Sequence, residues 1–118
     1  MSIRSNAIPV GRDLSPELQD ILRRNGMQAH IIRQGESYLL AVQGHDSPLL
    51  TYNISARQMR DLADWGTNSA NRKAYNTFAD LVKKDFNMPR DFVHARNANG
   101  RVAMGLHGYR IGVGEYGR

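Results

Sequence analysis

No cysteine occurs anywhere in the 118 residues of the chain, so the fold has to be held by a hydrophobic core and cannot rely on disulfides. Thiolate zinc sites, iron–sulfur clusters and cysteine nucleophiles are excluded for the same reason. A chain of this length has room for one core, and its 41% hydrophobic and 23% charged residues are typical of a globular protein. We therefore predict one domain over residues 1–118, in which 1–12 form a loosely ordered arm and 114–118 a flexible tail.

The first ten residues do not resemble a signal peptide, because they contain polar groups and Pro9 where an apolar run is needed. No stretch has the roughly eighteen consecutive apolar residues of a membrane-spanning helix. On this basis we expect a cytoplasmic protein with no membrane partner.

In the N-terminal third, the spacing of apolar residues changes from the period of a helix to that of a strand at Asn25-Gly26. Ser15 is a good helix cap and Pro16 suits the first helical position, so a helix is predicted from there to Asn25. Residues 27–43 alternate between apolar and polar, with Gly35-Glu36 placed as a two-residue hairpin loop. This loop predicts that Arg33 pairs with Tyr38.

The middle of the chain predicts one more strand and two helices. Residues 49–54 have the composition of a third strand. Ser55 and Gln58 have the spacing of a capping box at the start of a helix, which closes near Trp65. A second helix is predicted over about 69–86.

The last third is predicted to return to strands, because Asn99-Gly100 is a strong signal for a hairpin turn. Pairing outward from this turn sets His94 opposite Gly105 and divides the side chains between two faces. One face would meet the core and carries Val93, Ala95, Val102, Met104 and Leu106. The predicted fold class is therefore α+β, a mainly antiparallel sheet of about five or six short strands with about three helices packed on one face.

The charge balance favours an anionic partner. The net charge is +5, and 13 of the 16 basic residues are arginines, whose guanidinium groups grip phosphates and stack on bases. From Phe86 to the end, five arginines stand against Asp91 and Glu115.

The outer face of the predicted C-terminal hairpin is the candidate site, because it gathers arginines, histidines and aromatic rings as sheet platforms for single strands do. We expect this surface to bind nucleic acid, with single-stranded DNA or RNA favoured. The residues assigned to it are Phe92, His94, Arg96, Arg101, His107, Tyr109 and Arg110.

Other functions stay open. The chain also fits a protein-interaction module of a multi-component assembly, as a monomer or a homodimer. A third interpretation is a weak phosphoesterase that uses His94 and His107 as acid and base. A helix-turn-helix with Arg72 on its recognition helix is a further alternative. No catalytic group, metal ligand set or cofactor is assigned, because the four histidines are scattered.

Overall fold

The computed structural model describes residues 13–97, which form an α+β fold with one three-stranded antiparallel sheet and four helices. In chain order the elements are α1 (Pro16–Arg24), β1 (Gln28–Gln34), β2 (Ser37–Gln43), β3 (Leu50–Ile54), α2 (Ala56–Ala63), α3 (Asn68–Val82) and α4 (Phe92–Asn97). The strand order is β1-β2-β3.

The first hairpin has the predicted register. Arg33 lies opposite Tyr38 and Ile31 opposite Leu40. Gly35 has a φ of +64°, a conformation that a two-residue hairpin loop requires and that glycine adopts without steric cost. The third strand is antiparallel to β2 and places Tyr52 opposite Leu40. Ile31, Leu40 and Tyr52 therefore lie on the same face of the sheet.

All the helices pack on one face of the sheet. The inner face supplies Ala29, Leu40, Val42 and Ile54 to the same core cluster as the helices. The centre of the core is formed by side chains that are almost completely buried, among them Leu18, Ile21, Leu62, Tyr75, Phe78, Val82, Phe86 and Phe92. Within residues 13–97 the opposite face of the sheet carries no helix.

The free edge of β1 is partly closed by a side chain. One carboxylate oxygen of Asp13 accepts hydrogen bonds from the backbone N–H groups of Leu14 at 2.8 Å and Ile31 at 2.9 Å. The other oxygen lies 2.9 Å from Nδ1 of His30. The carboxylate occupies the place of a neighbouring strand's carbonyl, which blunts this edge against pairing with another strand.

The first three helices begin at polar caps. Ser15 accepts a hydrogen bond from the N–H of Leu18, and Ser55 and Gln58 form the predicted capping box. The third begins earlier than predicted, because Thr67 and not Ser69 is its cap. None of the helices within residues 13–97 has the length and apolar character needed to cross a membrane.

The prediction of a strand over residues 92–96 is wrong, because this segment is helix α4. Asp91 accepts a hydrogen bond from the N–H of His94 at 2.9 Å, as a residue before a helix does. The helical spacing buries Phe92 and Ala95 and leaves Val93 49% exposed, which reverses the predicted positions of Phe92 and Val93. The sheet therefore has three strands over residues 13–97 and not five or six. The remainder of the predicted hairpin lies outside the described residues.

Candidate nucleic-acid interface

The short helix α4 is held against α1 and α3 by both side chain and backbone contacts. Its Phe92 is 1% exposed and its Ala95 is fully buried. The amide nitrogen of Asn25, the residue that ends α1, donates to the carbonyls of Ile21 at 2.7 Å and Ala95 at 3.2 Å. Since Asn25 is itself buried, these bonds fix where α4 sits.

Three arginines from three helices meet around α4. The guanidinium carbons of Arg72 and Arg96 lie 5.5 and 5.4 Å from the ring centroid of Phe92, within the range of a cation–π contact. Arg24 of α1 donates to the backbone carbonyl of Arg96. We call Arg24, Arg72 and Arg96 the arginine cluster. Two of its members are held by the ring of Phe92 and the third by the backbone of α4.

The positive charges of two members of the arginine cluster are partly balanced by nearby carboxylates. Arg96 lies 3.3 Å from Glu17, and Arg24 lies 2.5 Å from Asp20, which also contacts Arg23. The hydrogen bond from Arg24 is the main reason that the pKa of Asp20 lies below its ordinary value. These pairs are largely exposed, so each holds its partners only weakly.

Arg72 differs from the other two. Within residues 13–97 no carboxylate lies within 4.0 Å of its guanidinium, so this charge stays open to an external anion. Arg72 is exposed at the surface of α3.

Most of the surplus positive charge lies beyond the described residues. Residues 13–97 hold eleven of the sixteen basic side chains and ten of the eleven acidic ones, so four of the five net charges belong to 1–12 and 98–118. The segment 98–118, with Arg101, Arg110 and Arg118 against Glu115, follows directly from α4.

His94 is exposed beside the cluster. Its Nδ1 lies 3.0 Å from an oxygen of Asp91. The hydrogen bond from the backbone N–H of His94 lowers the pKa of Asp91, and the histidine ring adds to that effect.

The residues that the sequence analysis assigned to the candidate site do not share one surface in the structure. His94 and Arg96 are exposed on α4, whereas Phe92 is buried and is not placed to stack on a base. Arg101, His107, Tyr109 and Arg110 lie outside the described residues. The pairing of His94 with Gly105 required a strand and is not compatible with α4, so the geometric argument for a His94–His107 pair is lost.

Arg24 and Arg72 were not assigned to the site from the sequence. A local signal for α4 was available, since Asp91 precedes Phe92 and Ala95 at helical spacing. No spacing along the chain relates Arg24, Arg72 and Arg96, because they meet only through tertiary packing. Within the described residues no three carboxylates or histidines are grouped to hold a metal ion.

No protein-family model, curated protein or solved structure matches this chain.

Proposed function

We propose that the protein binds single-stranded nucleic acid, RNA or DNA, through the arginine cluster and the basic segment that follows α4. The observation that supports this most directly is the convergence of Arg24, Arg72 and Arg96 from three helices on one short helix, with Arg72 lacking a carboxylate partner in residues 13–97. Guanidinium groups bind phosphates through two parallel hydrogen bonds.

The cluster is held in place before any ligand arrives. The guanidinium groups of Arg72 and Arg96 lie over the ring of Phe92, and the Asn25 amide fixes α4. Pre-positioned donors lose less side-chain entropy on binding than free arginines do. The weak ion pairs to Glu17 and Asp20 would be exchanged for pairs with phosphates, so the binding is expected to depend on salt.

The test is a fluorescence-anisotropy titration of labelled single-stranded DNA, duplex DNA and RNA over a salt series. The variant replaces Arg72 and Arg96 by glutamine, which removes each charge but keeps part of each aliphatic stem. We expect weaker binding and a slope of log K against log[salt] that is smaller by about 1.4, since each phosphate contact to a single strand contributes roughly 0.7.

A matched control replaces Arg57 and Arg60 of α2 by glutamine and removes the same charge elsewhere. If both variants lose affinity equally, the protein has only a general attraction for polyanions and no site at the arginine cluster. If the wild-type chain binds none of the three polymers at low salt, the proposed function is wrong.

A second candidate function, interaction between copies of this chain, is favoured by the outer face of the sheet. Its ten side chains include no lysine, arginine, aspartate or glutamate, although the chain as a whole is 23% charged. Ile32 and Leu39 lie opposite each other at its centre, and Ile32 is 41% exposed. An apolar centre in a polar rim is the composition of an interface, although the rim includes His30 and the Asp13 carboxylate beside it.

A further inference from the structure

A cavity of about 570 Å³ opens between the C-terminal half of α3 and the segment 86–90. Its apolar wall is made by the partly exposed Ala79, Met88 and Pro89, and Tyr75 and Phe86 also border it but are each only 1% exposed. Its polar wall and rim carry the exposed side chains Asn76, Asp80, Lys83, Asn87 and Arg90.

The segment 86–90 is tied to α3, so the cavity keeps its shape. The hydroxyl of Tyr75 donates to the carbonyl of Pro89 at 2.6 Å. Burial raises the pKa of Tyr75 above its ordinary value of 10.0, and the nearby Asp91 adds to this, so the hydroxyl remains a donor. Phe86, the first residue of the segment, is buried in the core.

The cavity and the arginine cluster lie on one continuous stripe of α3. Arg72, Asn76, Asp80 and Lys83 follow at spacings of four, four and three, so they are neighbours on one helix surface. Arg72 and Lys83 are eleven positions apart, a rise of roughly 16 Å along the axis. Tyr75 also joins the two regions, since its ring lies 6.5 Å from that of Phe92.

The lining chemistry suits a nucleobase better than a phosphate alone. A base has an apolar face and an edge that both donates and accepts hydrogen bonds. The amides of Asn76 and Asn87 offer both kinds of group, and the Asp80 carboxylate accepts from the N–H groups of a base edge, such as N3–H of thymine. Asp80 also lies 3.5 Å from Lys83, and this carboxylate would disfavour an inorganic anion. Arg90 at the rim remains available to a phosphate next to the base.

We propose that this cavity is a nucleobase pocket, which receives one base of a single strand whose phosphates lie on the arginine cluster. The inference rests on the proposed function and adds a site to it. It predicts that binding depends on bases as well as on phosphates. The contribution of the bases should be lost when Asn76 and Asn87 are replaced.

The test compares two labelled single strands of equal length, oligo-thymidine and an abasic oligomer with the same phosphates. The variant is the double replacement Asn76→Ala with Asn87→Ala, and the control is Asn53→Ala with Gln28→Ala on the outer face of the sheet. All four side chains are exposed, so folding should not suffer. We expect the pocket variant to bind oligo-thymidine about tenfold more weakly and the abasic oligomer unchanged.

The outcomes distinguish the two proposals. If the wild-type chain binds both probes and the pocket variant loses nothing, the pocket is wrong and the arginine cluster still stands. If the sheet control loses as much as the pocket variant, the pocket is also wrong. If neither probe binds the wild-type chain, both proposals fail together.

Discussion

At the scale of residues, Phe92 explains why a charged cluster forms at this place. Phe92 is 1% exposed, and the guanidinium groups of two exposed arginines lie over its ring in cation–π contact. The same packing that completes the core therefore positions the charges. Substitution of either arginine should affect both stability and binding, which is why the glutamine variants above retain part of the stem.

Asp91 holds the start of α4, and its removal should loosen the surface that carries Arg96. Its carboxylate accepts from the N–H of His94, and the pKa of Asp91 is lowered by that bond. A carboxyl whose pKa is lower in the folded state stabilises the fold above its unfolded pKa, and this contribution is lost as the pH falls through the lower, folded value. We expect Asp91→Ala to lower the melting temperature at neutral pH, with the difference from wild type shrinking below about the ordinary pKa of 3.8.

Asp91→Asn is the matched control for this prediction, because asparagine also caps helices but does not titrate. It should stay close to wild type at neutral pH. The comparison uses thermal unfolding followed by circular dichroism across the pH range. A deficit of Asp91→Ala that is the same at every pH would contradict the role of the ionised carboxylate.

At the scale of elements, the start of α2 is the clearest case of a local signal that determines structure. Ser55 accepts from the N–H of Gln58 at 3.0 Å, and the side chain of Gln58 accepts from the N–H of Ser55 at 2.9 Å. We expect Ser55→Ala to reduce the free energy of unfolding by about 1 kcal/mol, since it removes one cap acceptor. Urea unfolding measures this, and Ser55→Asp should retain most of the stability because it restores the acceptor.

The elements that could be predicted are those with signals inside a few residues. The register of β1 and β2 follows from the two-residue loop at Gly35-Glu36, and α1 follows from Ser15 and Pro16. Helix α4 was predicted wrongly because six residues are too few to separate a period of 2 from one of 3.6. Its helical state is stabilised by Asn25, 70 residues away, which no local pattern reveals.

The candidate site was only partly predictable for the same reason. Arg96 and His94 were assigned from the outer face of a predicted hairpin, and both are exposed although the segment is helix α4. Arg24 and Arg72 join Arg96 through packing of three helices around Phe92, and the cavity beside Tyr75 depends on how the segment 86–90 folds back on α3. Such convergence is a property of the tertiary structure and leaves no spacing in the sequence.

At the scale of the whole molecule, the described residues form two layers, and one face of the sheet is left without a covering layer. Within residues 13–97 the helices and the arginine cluster lie on the other side, so contacts on this face would leave the arginine cluster accessible. Two copies joined through this face would present two arginine clusters to one strand. Binding at the first cluster would then raise the effective concentration of the second.

From the composition of the outer face of the sheet, we predict that the protein self-associates weakly and that this association depends on Ile32. The sheet has two seven-residue strands and one five-residue strand, so its outer face covers at most roughly 23 by 14 Å. This is well under the ~800 Å² per partner of a standard interface, so a dimer should appear only at high concentration. Ile32→Lys would bury an unpaired charge at the centre of that interface and should leave the protein monomeric in sedimentation equilibrium.

Trp65→Lys is the control, because Trp65 is 60% exposed, receives the same charge and lies outside the sheet. A dimer that survives Ile32→Lys would show that copies meet elsewhere, and a wild-type chain that stays monomeric at its highest soluble concentration would remove the second candidate function.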